Sequence, residues 1–215
     1  MKNVRFLLSA WFSLVTGLHA QTYTVTNLGD LDGTYAIASA INAAGSVVGS
    51  ADTSANNISH AVLFNGKGIG NTDLGAIGGK DGRAAGINAS GVTVGTSYPE
   101  FNNYYHATRF SDNGTGNTDL GTLGGTSSNA LAINRAGIIV GNAERADGFR
   151  HATRFKASGN IDLGTLGGFY SAAAAINSSG IIVGTADQAN GTTRAARFSG
   201  TGTGNKTRTL VAHFK

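Results

Sequence analysis

The sequence predicts an all-β repeat protein of four similar units, each with about 45 residues and four short strands. Near-copies of one segment recur as DLGTLGGFYSAAAAINSSGIIVG from Asp162, DLGTLGGTSSNALAINRAGIIVG from Asp119, DLGAIGGKDGRAAGINASGVTVG from Asp73 and NLGDLDGTYAIASAINAAGSVVG from Asn27. Each copy is followed by HAxxF or, in the last unit, by RAARF. The 33 glycines recur at fixed offsets, which is typical of turns that need a positive φ.

The elements of one unit follow from its local sequence. The DLG segment is the first predicted strand, and a short alanine-rich strand follows it. An INxxG turn comes next, with Asn and Gly where a type I turn favours them. The third strand is rich in β-branched residues, and HAxxF is the fourth. We therefore predict structural roles for the repeated turn and strand residues: Asn42, Gly45, Asn88, Gly91, Asn134, Gly137, Asn177, Gly180, His60, His106 and His151.

Four antiparallel strands per period predict a small β-propeller, either four-bladed or incomplete. The alternative is a β-solenoid, in which each period would form two coils. The repeat region spans 21–200, with units at about 22–64, 65–110, 111–155 and 156–198. Residues 201–215 depart from the pattern. Either TRTLVAHF is a closing strand, or the sequence results from truncation of a longer array. The loss of every landmark after a correctly phased Asn205 favours truncation.

Residues 1–20 have the pattern of a secretory signal peptide. Lys2 and Arg5 precede an apolar run over 6–18, and Ala20 offers a small residue before the predicted cleavage. The run is shorter than the ~20 residues that span a bilayer. We expect a secreted or cell-surface protein of a bacterial envelope, with no integral membrane segment after cleavage.

Charge and cysteine content exclude several classes of function. The formal net charge is +4, but five of the 16 Lys and Arg residues lie outside 21–200, so the repeats carry 11 basic and 12 acidic residues. This balance argues against nucleic acid as a partner. The absence of cysteine excludes disulfides, thiolate metal sites and cysteine nucleophiles.

The motifs DLGTLGG, AINxxGxxVG and HAxxF together resemble the HAF-repeat family of probable extracellular repeat proteins, from Asn27 to about Phe198. The family's phenylalanine is displaced here by two residues, the tryptophan that often follows is absent, and the last unit has Arg194 in place of His. The resemblance implies an exported bacterial surface protein or a segment of a larger one. It supplies no catalytic residues.

The repeated polar residues predict structure and not chemistry. Asp73, Asp119 and Asp162 recur at one position, where the first unit has Asn27. Both Asn and Asp can satisfy a local turn, whereas only Asp can act in acid–base catalysis. Since a cation cannot replace a metal ligand, Arg194 likewise argues against a histidine metal site. We predict no catalytic residue, no bound metal and no cofactor.

The loops between the third and fourth strands vary in sequence while the frame stays constant, so recognition is expected there. The second loop is rich in aromatic and amide side chains, which suit sugars or an extended protein partner. Phe169 and Tyr170 are expected on the opposite rim. The predicted ligand-binding residues are Tyr98, Phe101, Asn102, Asn103, Tyr104 and Tyr105.

The predicted function is therefore a secreted, non-catalytic repeat module for binding or surface structure, whose extracellular ligand is a glycan or a protein. One alternative is a propeller-type carbohydrate-active enzyme, which would need asymmetric polar residues converging at one site. Another alternative is a truncated fragment of a larger extracellular or autotransported repeat protein.

Overall fold

The computed structural model describes residues 23–54, 58–99 and 104–199. The predicted signal peptide and the off-pattern tail lie outside the described residues. Within them the chain forms four antiparallel sheets and a single turn of 3₁₀ helix at Ile77–Gly79. The prediction of an all-β protein with four repeated units is confirmed. None of the described segments forms a helix long and apolar enough to cross a membrane.

The strands follow each other along the chain as hairpins. Sheet 1 contains β1 (Asp32–Ile41), β2 (Val47–Thr53), β3 (Ser59–Phe64) and β4 (Thr72–Gly75); sheet 2 contains β5 (Gly82–Ile87), β6 (Thr93–Ser97), β7 (His106–Phe110) and β8 (Thr118–Asp119). Sheet 3 contains β9 (Gly124–Ile133), β10 (Ile139–Arg145), β11 (Arg150–Phe155) and β12 (Ile161–Asp162); sheet 4 contains β13 (Gly167–Ile176), β14 (Ile182–Gln188) and β15 (Thr193–Phe198).

The sheets are offset by one strand from the sequence repeats. The DLG strands β4, β8 and β12 do not begin a sheet, contrary to the expectation from the sequence. Each pairs instead with the HAxxF strand of the preceding repeat, as in the register Val62↔Asp73 and Thr108↔Asp119. A sheet therefore takes three strands from one repeat and its fourth from the next, which joins consecutive repeats through backbone hydrogen bonds.

The INxxG turns close the first hairpin of each sheet. In sheet 2, Asn88 Oδ1 accepts hydrogen bonds from the backbone N–H groups of Ser90 and Val92, both at 3.0 Å. Gly91 has a φ of 84°, a conformation that favours glycine. The geometry of the turn thus accounts for both the Asn and the Gly of the motif.

The same asparagines also link neighbouring repeats. Asn42 Nδ2 donates to the carbonyl oxygen of Asn88 at 3.1 Å, Asn88 donates to that of Asn134 at 3.3 Å, and Asn134 donates to that of Asn177 at 3.0 Å. We call this series the asparagine ladder. Because Asn88 and Asn134 are each 5% exposed, two of its members are shielded from competing water.

The glycine that ends each third-strand motif is required by close packing within the sheet. A Cβ on Gly95 would collide with the carbonyl oxygen of Arg83 on β5. The β5–β6 register shifts at this point, between Ala84 and Gly86, which is the irregularity of a β-bulge. Gly49, Gly141 and Gly184 meet the corresponding carbonyl oxygens in the same way.

The hydrophobic core lies between consecutive sheets. Val48, Ala61 and Leu74 of sheet 1 pack against Ala84 and Phe110 of sheet 2, and equivalent residues fill the next two interfaces. The alanine of the first strand is nearly inaccessible at each interface, at Ala84, Ala130 and Ala173. A small side chain there lets the backbones of neighbouring sheets approach closely, which accounts for the alanine-rich strands.

Candidate functional site

The sheets present two rims with different sequence character. One rim carries the INxxG turns at 42–45, 88–91, 134–137 and 177–180, and we call it the asparagine rim. The opposite rim carries the connections from β2 to β3, β6 to β7, β10 to β11 and β14 to β15, and we call it the loop rim. The loop rim is where sequence varies between repeats, so any recognition surface is expected there.

Aromatic side chains from sheet 2 meet a cation from sheet 3 on the loop rim. The rings of Tyr98 and Tyr105 lie edge to face, with centroids 5.8 Å apart. The guanidinium carbon of Arg150 lies 5.0 Å from the centroid of the Tyr105 ring, within the range of a cation–π contact. Tyr104 is 47% exposed beside them. Phe101, Asn102 and Asn103 of this predicted site lie outside the described residues.

A second aromatic group joins sheet 3 to sheet 4. Phe149 stacks on Phe169, with centroids 4.7 Å apart, and meets Tyr170 edge to face at 5.6 Å. Phe169 is 60% exposed and Tyr170 is 52% exposed. The expectation that these two residues lie on the opposite rim is wrong. Because β13 runs antiparallel to β14, its beginning lies beside the end of β14 and therefore on the loop rim.

The two groups are linked through the chain, because Phe149 of one and Arg150 of the other are consecutive residues. They form a line of side chains across three sheets, which we call the aromatic strip: Tyr98, Tyr104, Tyr105, Phe149, Arg150, Phe169 and Tyr170. Phe149 and Arg150 were not predicted from the sequence. The available signal was their alignment with Tyr104 and Tyr105, two and one residues before the repeated histidine.

The aromatic strip is not a repeated feature of the scaffold. The position of Tyr105 is Ser59 in the first repeat and Thr193 in the last, and the position of Phe169 is Lys80 in the second repeat and Thr126 in the third. A side chain that the fold requires would recur at every copy of its position. These aromatic residues are therefore additions to the fold, and the exposed rings of Tyr104, Phe169 and Tyr170 are open to a ligand.

The repeated histidines, by contrast, make contacts within the repeated fold. His60, His106 and His151 each place Nδ1 at 2.6–2.8 Å from a carboxylate oxygen of the next repeat's DLG strand. The partners are Asp73, Asp119 and Asp162. Each pair links the third strand of its sheet to the fourth, so it reinforces the junction between two repeats.

The aspartates of these pairs have a second, local role. One carboxylate oxygen of Asp119 accepts a hydrogen bond from the Gly121 N–H at 2.7 Å. Asn27 makes the same local bond to the Gly29 N–H, at 2.9 Å. Asparagine at this position therefore makes the hydrogen bond of the local turn. Aspartate occupies the position where the side chain also pairs with a histidine of the preceding repeat.

Asp162 has the most perturbed environment among these carboxylates. Burial alone raises its pKa, but hydrogen bonds from His151 and from the Gly164 N–H, with the charges of His151 and Arg145, outweigh burial and lower the pKa below its ordinary value. Arg145 Nε lies 3.7 Å from this carboxylate. A lowered pKa keeps Asp162 ionised, which suits a structural ion pair and not a general acid.

The histidines and acidic residues do not converge on one point. In the part of the chain that the structure describes, no three His, Asp or Glu side chains lie close enough to hold a metal ion. The aromatic strip can bind a ligand by stacking on its rings and by hydrogen bonds from the Arg150 guanidinium. Among the described residues, no acid–base groups are assembled beside it.

By its fold and its site, the chain is an all-β repeat protein with a non-repeated aromatic strip on one rim. In comparisons with known proteins, this chain matches no protein-family model, no curated protein and no solved structure.

Proposed function

We propose that this chain is a secreted, non-catalytic binding module of a bacterial cell surface, and that the aromatic strip holds a glycan. The single observation that carries the proposal is the non-repeated set of aromatic side chains on the loop rim of sheets 2, 3 and 4, of which Tyr104, Phe169 and Tyr170 are exposed. The resemblance to HAF repeats and the pattern of residues 1–20 favour the export of the chain.

The chemistry of the strip favours a carbohydrate. Sugar rings present flat faces of C–H groups, and aromatic rings bury such faces while their edges remain hydrated. Phe169 and Tyr170 offer exposed rings, and Arg150 offers hydrogen-bond donors between the two aromatic groups. Tyrosine also supplies a large contact area at a low cost in conformational entropy. The strip crosses three sheets, so it suits an extended oligosaccharide better than a single sugar.

The repeated polar residues support a non-catalytic role. The histidines and their aspartates are engaged in bonds between repeats, and the asparagines of the ladder bond turns and neighbouring carbonyl groups. A carbohydrate-active enzyme would need two carboxyl groups placed across one bond of its substrate. None of the described residues of the strip carries a carboxyl group.

The test is a binding screen of the purified chain against bacterial and plant polysaccharides, followed by titration with oligosaccharides of the best ligand. Tyr170→Ala should weaken that binding about tenfold, the effect of losing ~1.4 kcal/mol of aromatic contact. Tyr35→Ala is the matched control, because Tyr35 occupies the same position in the first repeat, is 57% exposed and lies outside the strip.

Three results would contradict the proposal. If the chain bound no glycan but bound a protein through the strip, the ligand would be a protein and not a glycan. Equal effects of the two tyrosine variants would remove the strip from the site. Turnover of a bound polysaccharide would favour the enzyme.

A further inference from the structure

The first strand of the array is exposed where its copies are buried. Ala38 of β1 faces solvent, whereas its counterparts Ala84, Ala130 and Ala173 are at most 2% exposed. These counterparts pack against the preceding sheet. Ile41, at the end of the same strand, is 67% exposed. Sheet 1 therefore presents the surface that, in every other sheet, receives a preceding repeat. We call it the leading face.

The last sheet is exposed on the other side. Val183 is 43% exposed, whereas its counterparts Val48, Val94 and Val140 are fully buried. Ala195 faces solvent, whereas Ala61, Ala107 and Ala152 are fully buried against the following sheet. We call this surface of sheet 4 the trailing face. It has the apolar side chains that, in sheets 1 to 3, contact the leading side of the next repeat.

The two ends are also complementary in their strands. Sheets 1 to 3 each take a fourth strand from the next repeat, but sheet 4 ends at β15 among the described residues. The segment equivalent to β4 in the first repeat, 26–29, belongs to no strand. Applying the register Leu63↔Thr72 and Val62↔Asp73 to these ends pairs Arg197 with Thr26 and Ala196 with Asn27.

Polar residues at the ends fit the same junction. The described junctions pair a histidine with an aspartate, and the two positions left over are occupied by Arg194 and Asn27. The Arg194 guanidinium can donate to the Asn27 side-chain oxygen, so the substituted pair remains compatible. The asparagine ladder ends at Asn177, whose side-chain amide has no acceptor among the described residues, and the Asn42 carbonyl would supply one.

We propose that two copies of this chain associate head to tail, with the trailing face and β15 of one copy against the leading face and residues 26–29 of the next. A second copy is the occupant because, among the described strands, extensive contacts between sheets join only sheets that are consecutive in the chain. Among the described residues, sheet 1 thus makes no such contact with sheet 4 of the same molecule. The internal junctions supply the template for this association, in which Arg194 and Asn27 replace the histidine and the aspartate.

Such an interface uses two different surfaces, so an open assembly keeps one leading face and one trailing face free at its ends. Head-to-tail contacts produce rings if the rotation closes and open filaments if it does not. This proposal is independent of the glycan-binding function. Its test uses only the oligomeric state and no glycan.

The experiment blocks one face at a time and measures sedimentation velocity over a range of concentrations. Ala38→Arg blocks the leading face and Ala195→Arg blocks the trailing face, and both side chains are exposed in the single chain, so folding should be preserved. The unmodified chain should form assemblies whose size grows with concentration. Each variant alone should associate at least about 100-fold more weakly, because an arginine would have to be buried without a partner.

A mixture of the two variants gives the most specific result. A chain with a blocked leading face still has a free trailing face, so a 1:1 mixture should form dimers and nothing larger. Ala89→Arg is the matched control, since Ala89 is exposed on an asparagine-rim turn away from both faces, and it should behave like the unmodified chain.

The register can be tested separately because the chain contains no cysteine. Oxidation of a mixture of Thr26→Cys and Arg197→Cys chains should yield a disulfide-linked dimer of one chain of each kind. A chain that stays monomeric at all concentrations, or a double variant that forms only an internal disulfide, would overturn the proposal in favour of closure within one molecule. Association that persists in either arginine variant alone would overturn it in favour of another interface.

Discussion

Replacing Asn88 by alanine tests whether the asparagine ladder contributes to stability beyond its turns. The Asn88 side chain accepts two backbone hydrogen bonds within its turn and donates one to the Asn134 carbonyl oxygen of the next repeat. A typical intramolecular hydrogen bond contributes about 1 kcal/mol net, so Asn88→Ala should lower the free energy of unfolding by about 2–3 kcal/mol. The loss is near the upper end because the side chain is buried.

Asn177 provides the internal comparison. Its side-chain oxygen accepts hydrogen bonds from the Ile181 N–H at 2.8 Å and from the Ser179 hydroxyl at 3.0 Å, but its amide has no acceptor in the described chain. Asn177→Ala should therefore cost only about 1–2 kcal/mol. The difference of about 1 kcal/mol between the two variants reports the bond that joins neighbouring repeats together with the greater burial of Asn88, since Asn177 is exposed.

The measurement is urea-induced unfolding followed by far-UV circular dichroism, at a protein concentration low enough to keep the chain monomeric. Asn134→Ala is a second test, because Asn134 also donates to the next repeat, at 3.0 Å. If Asn88→Ala and Asn134→Ala cost no more than Asn177→Ala, the ladder adds nothing to stability. The repeated asparagine would then be a turn residue only.

Three further predictions concern packing, pH and export. Gly95→Ala should lower the free energy of unfolding by about 2–4 kcal/mol, because its Cβ collides with a backbone carbonyl that cannot move independently; an unchanged urea midpoint would contradict the bulge geometry. Asp162→Asn should cost less than about 1 kcal/mol at pH 7 at this partly exposed site. Because the pKa of Asp162 is lowered in the folded state, the carboxylate's contribution to the free energy of unfolding is complete above the ordinary carboxyl pKa of about 4. That contribution is lost as pH falls through the folded-state pKa. The variant and the unmodified chain should therefore converge in stability near pH 2, and a difference that persists there would exclude the charge as its cause. Expression in a bacterium should yield an exported chain that begins at Gln21, and N-terminal sequencing that begins at Met1 would contradict the signal peptide.

The sequence alone predicted the type and order of the strands, and physical reasons explain why. The β-branched pairs such as Val47 and Val48 favour strands, and the Asn–Gly spacing of the turn places each reversal of the chain. The phase of the sheets could not be predicted in the same way. A periodic sequence has the same pattern wherever a unit is taken to begin, so it leaves open whether β4 pairs with its own repeat or the preceding one. Closure of the sheets into a propeller ring stays a prediction.

The candidate site was predicted in part. Tyr98 and Tyr105 were identifiable because several aromatic residues cluster in one variable loop. Phe149 stands alone in a polar loop, so nothing local marks it, and its partners approach only through the pairing of strands in the next repeat. Tyr170 was assigned to the wrong rim because its location depends on where β13 begins relative to β14. Local composition identified a loop, whereas the strip required tertiary structure.

The offset between sheet and repeat affects how a gene for this protein can change in length. Equivalent ladder asparagines lie 46, 46 and 43 residues apart. Gain or loss of one whole period adds or removes four consecutive strands, and wherever the period is cut the strands that remain again make complete sheets. Repeat number can therefore vary without any new interface having to evolve, whereas an exchange that misses the period by a single residue inverts the alternation of every strand it joins. Length changes smaller than a repeat are therefore confined to the connections between strands, which is where the repeat with a spacing of 43 residues is shorter.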